Sequence, residues 1–359
     1  MYDFIIVGGG PAGSMAGKYL AQSGKKVLLI QKNFAFKKPC GGGLRMDAFS
    51  EFQLDTTLVK TTVNTIVIET KKRKIEFDIT DIPLAVVDRV EFDEKLRQEA
   101  QQAGATLLEA KVMKVQVNDA DVSIEVKEKK ELKTFQAHYL IAADGVLSTV
   151  RKQLRQEEVP KILTHYSDIE GYTTKKCHFY FGSTLTNQAY AWRFPYYNGA
   201  DVGTLSRQGD KTFFYNLLAF LGLKKEQSIK GYNIPKWEKP LFYENRVFYV
   251  GDAAGQVLPF TYEGIYYAMK SAKILSEVIH EGSDFSEYEK RWNKLYYKKF
   301  NALKQLQRIF LKNDLMIFIL MKTLEKERVK KKTLELWMDQ HELKIDIHFF
   351  IRTFKRLFH

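Results

Sequence analysis

The sequence predicts an α/β protein: a parallel-sheet domain wound with helices, interwoven with an antiparallel-sheet domain and followed by a C-terminal helical region. Three observations predict it. Asp3 to Gly13, "DFIIVGGGPAG", runs from an apolar strand into a glycine turn and a helix, and "KVLLI" after the helix stop at Gly24 supplies the next strand, completing a βαβ opening. Buried-strand runs return at "HYLIAAD" (His138 to Asp144) and "RVFYV" (Arg246 to Val250). The sequence between them alternates and is rich in strand formers, so the two kinds of element interrupt each other. The first domain is expected over 1–45, 88–160 and 241–285, the second over 46–87 and 161–240, and helices over 286–359.

In chain order, Pro11 to Ser23 carries helix formers and small residues after the glycine turn. Asp47 to Val87 alternates like paired strands, with a charged, hairpin-like segment from Glu69 to Ile79. Arg89 to Gly104 sets Val90, Leu96 and Ala100 on a charged background, which is a helix stopped by Gly104. Strands follow near Leu107 to Val117 and Val122 to Val126. Lys161 to Pro240 is dense in aromatics and short alternating runs, as an antiparallel sheet would be. Glu263 to His280 reads as a helix, and helices rich in Lys, Leu and aromatics continue to the end.

A chain of 359 residues, 45% hydrophobic and 13% aromatic, can build a large core. The formal charge of +13 favours anionic partners. Phe285 to His359 concentrates it, with 18 Lys and Arg against 9 Asp and Glu. No nucleic-acid module is recognisable, so nucleic acid is not an expected partner. Cys40 and Cys177 form no CxxC or Cys/His cluster, so neither a disulfide framework nor a metal site is expected. The longest apolar run, Leu315 to Met321, falls far short of the roughly 20 residues that span a bilayer. With no signal-peptide pattern after Met1, the expected location is the cytoplasm.

Gly8, Gly10 and Gly13 match GxGxxG at a strand-to-helix junction, where glycines permit a tight turn and close approach of a pyrophosphate to the helix N-terminus. The flanking strand, helix and second strand make this a Rossmann-type dinucleotide site. One departure stands at the end of the second strand, where an acidic residue would accept both ribose hydroxyls: the chain has Gln31, whose amide oxygen still accepts one, with Lys32 beside it. Asp144-Gly145 and Gly251-Asp252 each put an Asp beside a Gly at a strand's C-terminal end, suited to hydroxyls of a ribityl chain.

GxGxxG, then Asp-Gly midway, then Gly-Asp-Ala-Ala late, in that order, resemble the three FAD signatures of the flavoproteins that include aromatic hydroxylases and geranylgeranyl reductases. The resemblance implies a Rossmann-type FAD-binding domain of the para-hydroxybenzoate-hydroxylase-like kind. It sharpens to the geranylgeranyl reductases at "KPCGGGL" (Lys38 to Leu44), at "AYAWRFP" (Ala189 to Pro195) and at "GYNIP" (Gly231 to Pro235). It implies that Cys40, Gly41 and Gly43 line the isoalloxazine and ribityl side, and that Ala12, Val112 and Arg89 also contact FAD. It implies that Asp252 binds the ribityl chain, and that Gly264 and Ile265 offer N–H groups to the pyrimidine edge. Tyr190, Trp192 and Phe194 alternate onto one strand face and, with Pro195, are the expected wall of a prenyl-chain tunnel.

The function so implied is saturation of isoprenoid C=C bonds by hydride from reduced FAD, on a geranylgeranyl diphosphate, prenyl lipid or prenyl quinone. Cys40, Tyr190 and Tyr262 are the candidate proton donors. A single fingerprint gives no separate NAD(P)H domain, so electrons come from transiently bound NAD(P)H or from a small redox protein. Ile347, Phe350, Ile351, Phe354 and Phe358 fall at helical spacing opposite Arg352, Lys355 and Arg356, which suits peripheral attachment of 345–358 to an anionic membrane face. Two alternatives remain open: an FAD-dependent aromatic monooxygenase or halogenase, and a non-catalytic prenyl-lipid carrier.

Overall fold

A computed structural model of the chain describes residues 1–196, 198–206, 210–225 and 227–338. The chain divides into two compact units, each assembled from three segments: 1–39, 88–161 and 234–293 in the first, 40–87, 162–233 and 294–359 in the second. The basic tail at 345–358 lies outside the described residues.

In the first unit, five parallel strands run in the order Val247–Tyr249, Glu131–Ala142, Tyr2–Val7, Val27–Gln31 and Thr106–Glu109. Covered on both faces, they need continuous apolar runs rather than alternation, which is why "FIIV" and "VLLI" read so clearly. Phe4, Ile6 and Leu29 are almost fully buried, and Gly17 of the helix Pro11–Gln22 comes close to Ile6, Leu29 and Ala100. Ile5, Val7, Leu28 and Ile30 point the other way, into a core shared with Val115, Ile124 and Val150. The strand expected near 138–144 is longer, Glu131–Ala142. Its first half pairs antiparallel with Val122–Glu128 and is largely exposed, so it lacks the apolar run of a buried strand.

The second unit holds a seven-stranded sheet in the order Lys230–Pro235, Lys161–Glu170, Gly199–Ser206, Ala191–Tyr196, Cys177–Tyr180, Thr65–Glu69 and Lys74–Asp78. From Lys161–Glu170 through Gly199–Ser206 and Ala191–Tyr196 to Cys177–Tyr180 the neighbours pair antiparallel, as do Thr65–Glu69 and Lys74–Asp78, while Cys177–Tyr180 pairs parallel with Thr65–Glu69. The helix Thr212–Phe220, unforeseen in the sequence, packs Phe214, Leu217 and Leu218 onto one face through Tyr180, Ala191, Ala200 and Val202. The opposite face carries Phe179, Tyr190, Trp192 and Phe194. The helix Asp314–Leu324 is fixed by its Asp314 carboxylate, which accepts from the Ser183 N–H and hydroxyl at 2.7 Å each. The helix Glu327–Met338 sets Trp337 edge-on against Phe179, with centroids 5.5 Å apart. Among the described residues no helix is long and apolar enough to cross a membrane.

Candidate active site

The glycine turn of the first unit is tied down on three sides. Gly8 has φ +107°, and a Cβ there would sit 2.2 Å from the Ala143 carbonyl oxygen; a Cβ on Gly13 would sit 1.8 Å from that of Gly8. Both glycines are therefore required by the fold itself. At Gly10 nothing lies within 4 Å of a Cβ. Gly10 is also the N-cap of Pro11–Gln22, and no side chain caps that terminus, so the partial positive charge of the helix end is left for an anion. The Gln31 amide oxygen accepts from the Gly9 N–H at 2.8 Å, leaving its second lone pair for a ribose hydroxyl. Arg97, not anticipated from the sequence, bonds the Gly9 and Phe34 carbonyls at 3.1 and 2.9 Å and so holds the turn from below. Lys32 is exposed.

Ser148 caps the helix Thr149–Arg155, and Asp144 Oδ2 accepts from its first-turn Thr149 and Val150 N–H groups at 2.7 and 3.1 Å. The Asp144 Oδ1 is buried without a partner. Burial pushes this carboxyl's pKa up, against the lowering effect of hydrogen bonds from the Ser148 side chain and from the Val150 and Thr149 N–H groups. A buried acceptor with nothing to accept is the feature a ligand hydroxyl would satisfy. Gly145 follows with φ +79° and open space around it.

Gly251 has φ +59° and wedges between Ala12 and Ala268, bringing two helices close together. Its N–H is shared between the Gln256 amide oxygen at 2.9 Å and the Ser271 hydroxyl at 3.1 Å; Gln256 is held in turn by the Tyr288 hydroxyl at 2.9 Å. Asp252 is ion-paired with Lys38 and lies beside Gly264, the uncapped N-cap of the helix Ile265–His280. The preceding loop puts two aromatics, Phe260 (φ +76°) and Tyr262 (φ +57°), in the left-handed region. This costs a bulky residue roughly 1–2 kcal/mol each and marks a segment whose shape matters more than its ease. Arg89 forms a buried bidentate pair with Asp93 at 3.0 and 2.8 Å, and Val112 packs into the sheet core.

In the second unit, Cys40 is exposed and its sulfur accepts from the Gly42 N–H at 3.4 Å. The crowding at "CGGG" comes largely from within the unit. A Cβ on Gly41 would sit 2.6 Å from the Phe194 ring, and one on Gly42 (φ +68°) 2.2 Å from the Val87 carbonyl oxygen; around Gly43 the space is open. The aromatic face is continuous: Phe179 lies 5.0 Å from both Tyr190 and Phe194, and Trp192 lies 6.1 and 6.3 Å from the same two. Pro195 is buried at the end of the strand.

A family model described as an FAD binding domain matches residues 1–170. The geranylgeranyl diphosphate reductase of Rhodobacter capsulatus is 30% identical over 77% of this chain and 74% of its own length. The chain belongs to the geranylgeranyl reductase family. The Synechocystis enzyme of the same name is 27% identical over 86% of this chain and 85% of its own. The digeranylgeranylglycerophospholipid reductase of Methanocaldococcus jannaschii is 29% identical over 83% and 84%. Among solved structures, a geranylgeranyl bacteriochlorophyll reductase-like protein from Thermoplasma acidophilum superposes with a TM-score of 0.73 at 23% identity, covering 99% of this chain and 95% of its own. A flavin-dependent brominase reaches 0.77 at 16% identity, covering 99% of each. Fold alone therefore does not separate reductases from halogenases; the sequence kinship does.

Membership makes the chain an FAD-dependent oxidoreductase, and the residues present fit that cofactor. The first unit offers two helix N-termini without side-chain caps, open space at Gly10, an orphaned acceptor on Asp144 and the Asp252 carboxylate.

Proposed function

We propose that the chain reduces C=C bonds of a prenyl chain, carried by a diphosphate, a membrane lipid or a quinone. The kinship to prenyl reductases across both units carries this reading, and the aromatic face of the second unit supports it, because a continuous row of rings, Phe179 edge-on to Tyr190 and Phe194, suits a flexible apolar chain. Bound FAD, once reduced, supplies the hydride. The protein's own part begins with the uncapped terminus at Gly10, which takes the pyrophosphate, while Asp144, Asp252 and Gln31 take hydroxyls. The N–H groups at Gly264 and Ile265 offer positive partial charge to the pyrimidine edge.

Tyr190, Trp192 and Phe194 orient the chain and exclude water. The second carbon of the double bond needs a proton, for which Cys40, Tyr190 and Tyr262 are the donors to test. NAD(P)H or a small redox protein provides the electrons, and the enzyme works in the cytoplasm with peripheral attachment to anionic membrane. Incubating the reduced holoenzyme with geranylgeranyl diphosphate under argon tests the reading by product mass. A gain of two mass units per double bond is expected; unchanged substrate, with menaquinone and prenyl lipid also unchanged, would refute it.

A further inference from the structure

Trp192 is held from the side by an acid pair, one carboxyl buried and the other half-buried. Across three adjacent strands Asp168, Asp201 and Phe194 stand directly opposite one another, so both carboxyls share the sheet face of the aromatic row. The Trp192 indole N–H donates to the Asp201 carboxyl. On the next rung Gly203 faces Trp192, and a Cβ there would lie 2.2 Å from the indole, so the ring lies flat on bare backbone. Asp201 is 3% exposed and hydrogen-bonded to Asp168. Asp168 pairs with the Lys230 ammonium at 2.8 Å. Asp168 and Lys230 also line a pocket of about 420 Å³ with Glu170, Tyr196 and Asn198.

Two adjoining carboxyls, one of them buried, cannot both ionise cheaply, so the pair keeps one proton. Burial is the largest reason that Asp201 is raised to about 7; the Trp192 indole N–H works against it, the neighbouring Asp168 adds to it and Lys230 again opposes it. The other titratable groups turned toward the pair are Tyr166 on the Asp168 strand and Tyr232 on the Lys230 strand, with Glu170 and Tyr196 at the pocket rim.

We propose that the Asp168–Asp201 pair is a one-proton clamp that positions the Trp192 indole, and with it the fit of the aromatic face to a prenyl chain. Asp201 is thus a positioning residue, and the clamp's effect on substrate rests on the prenyl-reductase reading above. Losing the shared proton breaks the hydrogen bond between the two carboxyls and sets two carboxylates against each other, and this repulsion moves the Asp201 carboxyl from its place beside the indole, although the indole N–H itself favours the ionised form. KM for the prenyl substrate then rises with pH by about tenfold, the worth of one charge-assisted hydrogen bond, while kcat changes little.

The experiment compares wild type with Asp201→Asn and Asp201→Ala as FAD holoenzymes, over about pH 5.5 to 8.5 where the pair titrates. Asparagine still accepts from the indole and donates to Asp168 but carries no titrating proton, so KM for geranylgeranyl diphosphate becomes independent of pH. Alanine removes the acceptor and raises KM about tenfold even at the acid end. Without substrate, infrared difference spectra of wild type show a protonated carboxylic acid that titrates near neutrality and is lost in Asp201→Asn and Asp168→Asn. An absent band, or one that persists in both variants, overturns the clamp. A band that behaves as expected beside a KM that ignores both pH and substitution overturns its link to substrate. A holoenzyme that turns over no prenyl compound yet keeps the band locates the failure in the reading of function instead.

Discussion

The sharpest consequence of the glycine turn concerns Gly10, whose glycine the fold itself does not require. Its φ of −82° and ψ of −171° suit alanine, and nothing lies within 4 Å of a Cβ there. Gly10→Ala should lower unfolded-state entropy, gaining about 0.4–1 kcal/mol, and give back a similar amount as a poorer N-cap, so stability stays within ~1 kcal/mol of wild type. Pyrophosphate must approach this backbone closely, so the added methyl costs binding about 1–3 kcal/mol, or roughly 5- to 150-fold in Kd. Gly13→Ala is the contrast: with 1.8 Å to the Gly8 carbonyl oxygen it destabilises the apoprotein too, by at least about 1–3 kcal/mol. Urea unfolding of the apoproteins and quenching of flavin fluorescence on titration measure the two quantities. Gly10→Ala binding FAD as tightly as wild type would refute the assignment of this turn to the pyrophosphate.

Three further outcomes follow from single groups. Asp201, raised from 3.8 to about 7 chiefly by burial, keeps a proton that the unfolded chain releases. Stability is therefore whole below pH ~4, falls as pH rises toward 7 and then levels. Subtracting an Asp201→Asn curve isolates this slope, and a difference that does not vary with pH would contradict it. Cys177 is buried with its thiol pushed up to about 12 while Cys40 is exposed, so an aromatic disulfide reagent should titrate one thiol quickly and the second only on unfolding. A fast thiol surviving Cys40→Ser would show the assignment to be wrong. Asp88 caps the helix Arg89–Gln102 through the Val90 and Glu91 N–H groups at 2.9 and 3.1 Å, so Asp88→Ala should cost about 1 kcal/mol in urea unfolding, and no measurable loss would remove the cap's role.

What could be read from the sequence was local in origin. A glycine that must pass a carbonyl, or a strand covered on both faces, leaves its mark within ten residues, and so the turn at Gly8 to Gly13 and the strands beside it were legible. The alternation of Tyr190, Trp192 and Phe194 likewise foretold one shared face. Asp201 was not legible, because its meaning depends on the register of three strands that puts it between Asp168 and Phe194. Trp337 reaches Phe179 from more than 150 residues away, and no periodicity announces such a contact. The helix Thr212–Phe220, "TFFYNLLAF", passed for strand because its aromatics favour strands until packing decides. At "CGGG" the resemblance implies that Gly41 and Gly43 line the flavin, but bare backbone at Gly41 is already required by the Phe194 ring and at Gly42 by the Val87 carbonyl, contacts that only the fold creates.

The most direct test of the central claim is a single turnover in the absence of oxygen. The holoenzyme is reduced with one equivalent of dithionite and mixed with geranylgeranyl diphosphate while flavin absorbance is followed. The account predicts that oxidised flavin returns with the prenyl compound alone, at a rate that saturates with its concentration, and that Trp192→Ala lowers the apparent affinity. Flavin that stays reduced until air is admitted, whichever prenyl compound is offered, would contradict it and turn attention to oxygen-dependent chemistry on the same fold.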